Sequence, residues 1–181
     1  CPGPGPRCLG GGIEVLAETE HLVVVSKPAS MPIHVTGQYR HNTVLGILGA
    51  QSPGLGKLLP VHRLDRQVSG VTIFARNATT ATEFGRQLVA KELRKFYVAR
   101  VKGWLGKERR VVDVPIAVCR QQKISKCVAG PEDKEGLPPE GKGSAKPATT
   151  AFRHIAMCRD GVTSLVLCQP LTGRTHQIRV H

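Results

Sequence analysis

The sequence predicts an α+β domain built on a mostly antiparallel, mixed sheet flanked by helices and loops. Short apolar stretches of strand length, such as Leu22-Val23-Val24-Val25 and Val71 to Ala75, outnumber those with helical spacing. No regular alternation of strand and helix runs along the chain, as a parallel α/β sheet would require. Asp160-Gly161 separates two strand-like segments, near Ala151 to Met157 and Val162 to Cys168, and is a hairpin-turn signal.

The elements follow in order. Residues 1–12, with the run CPGPGPRCLGGG, are turn-rich and read as a flexible lead-in to a domain spanning 13–181. Ile13 to Ser26 is strand material that Lys27-Pro28 ends, since proline removes a donor and restricts the residue before it. Asn42 is a candidate cap for a short helix from Thr43 to about Gly49, and Gln51 to Leu59 is a Pro/Gly loop. Val61 to Asp65 leads through a Ser69-Gly70 turn into the strand Val71 to Ala75. Asn77 caps a helix expected over Ala78 to Leu93, where Ala81, Phe84 and Leu88 fall at helical spacing. Phe96 to Val101 alternates as a strand, and Val111 to Val118 is extended but broken by Pro115. Residues 119–147 are polar and rich in Gly, Pro and Lys, and read as a flexible insertion. A last strand is expected to start near Gln177.

Bulk properties narrow the classes. Apolar residues are 40% and charged residues 22% of 181, which suits one globular domain with a sizeable core. The apolar runs are too short to span a bilayer, and no long basic amphipathic helix suggests a membrane surface. A net charge of +13 predicts salt-sensitive affinity for polyanions, nucleic acid first among them. The six cysteines form no C-x-x-C pair or zinc spacing, so a reducing intracellular setting fits better than a disulfide framework, the compartment left open.

Asp65 is the single acidic residue between His21 and Thr82, a window holding six Lys or Arg. Opposite charges favour its ionised form, so in a cleft it would be a poised nucleophile or base facing an anionic substrate. By charge pattern alone the more ordinary reading is a structural ion-pair partner that neutralises its neighbours. Its neighbours decide between the two. Pro60-Val61-His62-Arg63-Leu64-Asp65-Arg66 precedes Ser69-Gly70-Val71; Arg94-Lys95-Phe96-Tyr97-Val98-Ala99 follows; Leu171-Thr172-Gly173-Arg174-Thr175-His176-Gln177-Ile178-Arg179-Val180-His181 closes the chain.

In that order the three segments resemble the RluA family of RNA pseudouridine synthases. Lys27-Pro28-Ala29-Ser30-Met31-Pro32-Ile33-His34 looks like that family's Lys-Pro segment, and Arg40-His41-Asn42-Thr43-Val44 leans toward its eukaryotic, Rib2-like branch. The resemblance covers about Ile13 to His181 and implies the pseudouridine synthase catalytic fold. It also implies an isomerase for uridines in RNA, tRNA favoured and ribosomal RNA or mRNA behind it, that works as a monomer. A segment completing the sheet is expected beyond His181.

Carried over by position, Asp65 matches the nucleophilic aspartate, Tyr97 the active-site tyrosine, and Arg174 the arginine paired with the aspartate. Arg63 matches the arginine that opens RNA around the target base, with His62 and Leu64 shaping the loop. The chemistry agrees: a carboxylate can break and remake a bond at the sugar carbon, and no metal or redox cofactor is required. The base must leave the stack, which a tyrosine ring can reward. Lys27, Arg40, Lys91, Arg94, Lys95, Lys123, Lys126, Lys142 and Lys146 form the expected RNA track, with His176 and Arg179 as further RNA contacts. His176 and His181 have no acidic or Cys partner near them in sequence, so no metal is expected. The rival class is a catalytically silent RNA-binding protein on the same fold, which would tolerate loss of Asp65.

Overall fold

The computed structural model describes residues 12–119, 124–128 and 145–181. The stretch read as one catalytic domain divides into two compact units, one ending at Glu92 and the other beginning at Leu93. Every strand pairing among the described residues is antiparallel.

In the first unit, β1 (Glu14–Glu18) and β2 (Leu22–Lys27) form a hairpin. The period of two along β2 buries Val23, Val25 and Lys27 together. β3 (Leu59–Pro60) and β4 (Gly70–Ala75) complete a sheet of order β1-β2-β4-β3. Residues 61–69 therefore link the end of β3 to the start of β4, and Lys27 pairs with Gly70 at that same end of the sheet. The core of this unit includes Met31, Ile33, Val44, Leu48 and Phe74.

Helix α1 (Val44–Gln51) is capped by Thr43, whose Oγ1 accepts from the Gly46 N–H at 3.0 Å. The cap falls one residue after Asn42 because Thr43 has the extended backbone that a cap needs (φ −127°, ψ 158°). A Cβ at Gly46 would collide with the His41 carbonyl oxygen, so the first turn packs closely there only with glycine. Gln51, at the helix end, accepts from Ile13 N (2.8 Å) and donates to Ile13 O (2.9 Å), fastening the start of β1. Asn77 caps α2 (Ala78–Val89) as expected, Oδ1 accepting from Thr80 N at 2.8 Å. That helix stops at Val89 rather than near Leu93, and Lys91 just beyond takes a left-handed φ of 59°.

The second unit holds β5 (Tyr97–Lys102), β6 (Arg110–Asp113), β7 (Ile116–Cys119), β8 (Ile124–Cys127), β9 (Thr149–Met157) and β10 (Thr163–Pro170). Four of them make a sheet of order β5-β10-β9-β6, and β7-β8 is a separate hairpin. Phe152, Val166 and Cys168 form its core, with Tyr97, Ala99, Val101, Leu105, Val112 and Ile178 packed against them. Burial pushes the Cys168 thiol pKa up, as expected of a cysteine acting as a small hydrophobe. The Asp160-Gly161 turn is where the sequence placed it: Gly161 takes φ 66°, and Asp160 accepts from the N–H groups of Val162 and Thr163.

Two expectations are corrected here. Part of the segment read as a flexible insertion is β-structure: β8 pairs with β7, and Lys146 exchanges backbone bonds with Ile116 at 2.9 Å. The rest of that insertion, residues 120–123 and 129–144 with Lys123 and Lys142, lies outside the described residues. The strand expected from Gln177 is instead a short helix, α3 (Gln177–Val180), entered through a left-handed His176 (φ 56°).

Candidate active site

The loop 61–69 leaves the sheet as β3 separates from β4. Val61 N still donates to the Ile73 carbonyl (3.4 Å), and Ile73 N donates to His62 Nε2 (3.2 Å). Leu64 is buried and turns its side chain toward Gly70, whereas Arg63 beside it is exposed. Asp65, next to the buried Leu64, is itself partly exposed. The Asp65 carbonyl accepts from Val68 N at 3.0 Å, closing a turn directly after the carboxylate.

Lys27 corrects the expected RNA track. It is fully buried (0% exposed), and its Nζ donates to the carbonyls of Pro28 (2.8 Å), Met31 (2.6 Å) and Arg66 (3.2 Å). A buried ammonium must be compensated by acceptors, and these carbonyls supply them. The result ties the Lys-Pro segment to the residue following Asp65. The period-two burial of β2 held a clue, since Lys27 shares the face of Val23 and Val25.

Tyr39 is a contact that sequence reading missed. A tight turn joins Thr36 and Tyr39 through paired backbone bonds (3.2 and 3.0 Å). It lays the Tyr39 ring under the Arg66 guanidinium, 5.5 Å from carbon to centroid, and Arg66 also donates to the Tyr39 hydroxyl. Arg40, exposed, follows on the same turn.

In the second unit, antiparallel pairing sets Tyr97 opposite Cys168, near the end of β10. The third motif starts where β10 ends, so Tyr97 and residues 171–176 belong to one end of the sheet. Tyr97 is partly buried against the Phe152–Val166–Cys168 core. A Cβ placed on Gly173 would lie 3.8 Å from Lys95 Nζ, so the second and third motifs approach each other there. Arg174 donates through Nε to the Pro147 carbonyl (2.9 Å).

Gln177 organises this loop from a buried position. Its Oε1 accepts from the Thr172 hydroxyl and Arg174 N (both 2.9 Å), while Nε2 donates to Thr149 O (3.0 Å) and Thr150 Oγ1 (2.9 Å). His181 continues the chain of bonds, with Nδ1 at 2.9 Å from Thr150 Oγ1 and Nε2 at 3.0 Å from the Val114 carbonyl. These bonds use both nitrogens of His181 in packing. His176 supplies the backbone carbonyl that starts α3, and Arg179 is exposed on that helix. The structure thus assembles Asp65, His62, Arg63, Leu64, Lys27 and Arg40 in the first unit. Tyr97, Arg174, Lys95, His176 and Arg179 belong to the second.

Each unit thus carries a motif loop with a charged side chain out of an antiparallel framework. The family model described as RNA pseudouridylate synthase matches residues 21–181, and the chain belongs to that family. It is 48% identical over 176 residues to RNA pseudouridine synthase 7 of Oryza sativa subsp. japonica, covering 97% of this chain and 42% of the relative. It is 38% identical over 177 residues to the mitochondrial tRNA pseudouridine(32) synthase of Saccharomyces cerevisiae, covering 97% of this chain and 35% of that protein. Among solved structures, human RNA pseudouridylate synthase domain containing 1 has the same fold, with a TM-score of 0.78 at 24% identity over 97% of this chain and 66% of that one. The chain spans less than half the length of the rice and yeast relatives. No helix among the described residues is long and apolar enough to cross a membrane.

Proposed function

We propose that this chain is a catalytic domain that isomerises uridines in RNA to pseudouridine, with tRNA as the first substrate to test. Family membership and the net charge of +13 support an RNA substrate. The relatives named for tRNA favour tRNA over ribosomal RNA or mRNA. The carrying observation is Asp65: the one carboxylate in its basic window, at a bend pinned before it by His62 and after it by Lys27.

The reaction breaks the bond between uracil N1 and the sugar C1′, turns the base, and joins C5 to C1′. One proton leaves C5 and N1 regains one, so atoms and oxidation state are conserved and the side chains suffice. Asp65 acts at the sugar, as nucleophile or as the base that starts elimination. Tyr97 stacks on the displaced base, Arg174 is the motif arginine matched to the aspartate, and exposed Arg63 occupies the gap left in the RNA. Arg40, Lys95, His176 and Arg179 fix RNA register. The chain acts as a monomer inside the cell.

The test maps pseudouridine by carbodiimide adducts in transcribed tRNA and rRNA treated with wild type or Asp65→Asn. New pseudouridine with the wild type alone is expected. Tight RNA binding with no pseudouridine from either protein would instead mark a silent RNA-binding protein.

A further inference from the structure

His62 occupies an acceptor position that normally belongs to the main chain. With Leu59 opposite Ala75 and Pro60 opposite Phe74, the next rung pairs residue 61 with residue 73. Its first half is present, Val61 N donating to the Ile73 carbonyl. A regular antiparallel rung returns the bond from Ile73 N to the Val61 carbonyl. Here Ile73 N donates to the imidazole Nε2 of His62, at 3.2 Å.

We propose that His62 is a positioning residue for Asp65, and this rests on the reading of Asp65 as the group that acts at the sugar. The ring replaces a backbone carbonyl as the acceptor that ends the β3–β4 pairing. The chain can then leave β4 at Val61 without stranding the half-buried Ile73 N–H, whose loss of a partner would be costly. The departure point fixes where Asp65 emerges four residues later, and the Lys27 bond to the Arg66 carbonyl fixes the far side. The arrangement requires an unprotonated Nε2, so the working ring is neutral with its hydrogen on Nδ1. His62 thereby acts through the loop's path rather than by touching RNA.

His62→Gln and His62→Leu separate these roles. The Gln amide oxygen reaches about as far as Nε2 and keeps an acceptor, whereas Leu fills similar volume without one. Both would be compared with wild type for single-turnover pseudouridine formation, tRNA affinity and melting temperature. His62→Leu is expected to slow turnover about ten- to hundredfold, the effect of one stranded donor, with tRNA affinity within about twofold. His62→Gln should recover at least about half of the wild-type rate, since it restores the acceptor. A Gln variant as slow as the Leu variant, or a loss confined to tRNA affinity, would overturn the proposal. If the Leu variant does not fold, ¹⁵N NMR of the His62 ring decides: hydrogen on Nδ1 is expected, and hydrogen on Nε2 at neutral pH would overturn it. Absence of pseudouridine even from the wild type would instead remove the reading of Asp65.

Discussion

The loop bearing Asp65 and the loop bearing Arg174 solve one problem by different chemistry. Each must project a charged side chain while satisfying backbone groups that the sheet no longer pairs. Around Asp65 the central fastener is a buried cation, Lys27, whose ammonium gathers three carbonyls. Around Arg174 it is a neutral amide, Gln177, bonded in four directions. A buried ammonium is strong once compensated and costly once disturbed, whereas an amide exchanges bonds of ordinary strength. The first loop should therefore be the more brittle.

Replacing each fastener by an apolar residue of similar size tests that contrast. Lys27→Met should destabilise the first unit by about 3 kcal/mol, because three carbonyls lose a charged donor. Gln177→Leu should cost about 2 kcal/mol by the same reasoning applied to neutral bonds. Denaturant unfolding of both variants would check the order, and equal losses would remove the distinction. Tyr39→Phe keeps the ring under Arg66 and removes only the hydroxyl, so it should cost no more than about 1 kcal/mol. Its melting temperature should fall far less than that of Lys27→Met.

The smallest expected effect lies far from either loop. Thr163, Val162 and Arg100 hold the Asp160 carboxyl well below the usual carboxylate range. A depressed folded-state pKa gives stability that is present above the unfolded value and lost as pH falls through the folded one. Asp160→Asn should therefore lower stability slightly at neutral pH and flatten the acid side of the profile, the two proteins converging as pH falls. Melting curves between pH 7 and pH 3 would show it. An unaltered acid limb would mean the turn owes little to that charge.

What could be read from sequence followed local chemistry. The Asn77 cap, the Asp160-Gly161 turn and the alternation of β5 each depend on residues a few positions apart. The motif residues were legible as residues, with Asp65 marked by its isolation among cations. What could not be read depended on distant partners. Ile178-Arg179-Val180-His181 alternates like a strand, but bonds from Gln177 and His181 to Thr149, Thr150 and Val114 curl it into α3. Lys27 looked like a surface cation because lysine usually is one. Its burial needed the carbonyl of Arg66, thirty-nine residues away, to be brought beside it. Tyr39 carried no motif, and its place beneath Arg66 is likewise a tertiary fact.

The central claim is that the Asp65 carboxylate drives isomerisation at the sugar carbon. Transcribed tRNA carrying tritium at uracil C5 reports the chemistry directly, since that hydrogen must leave when C5 bonds to C1′. Tritium should be released to water with the wild type and remain in the RNA with Asp65→Asn, while the two proteins bind that tRNA equally. Release by Asp65→Asn at the wild-type rate would contradict the account.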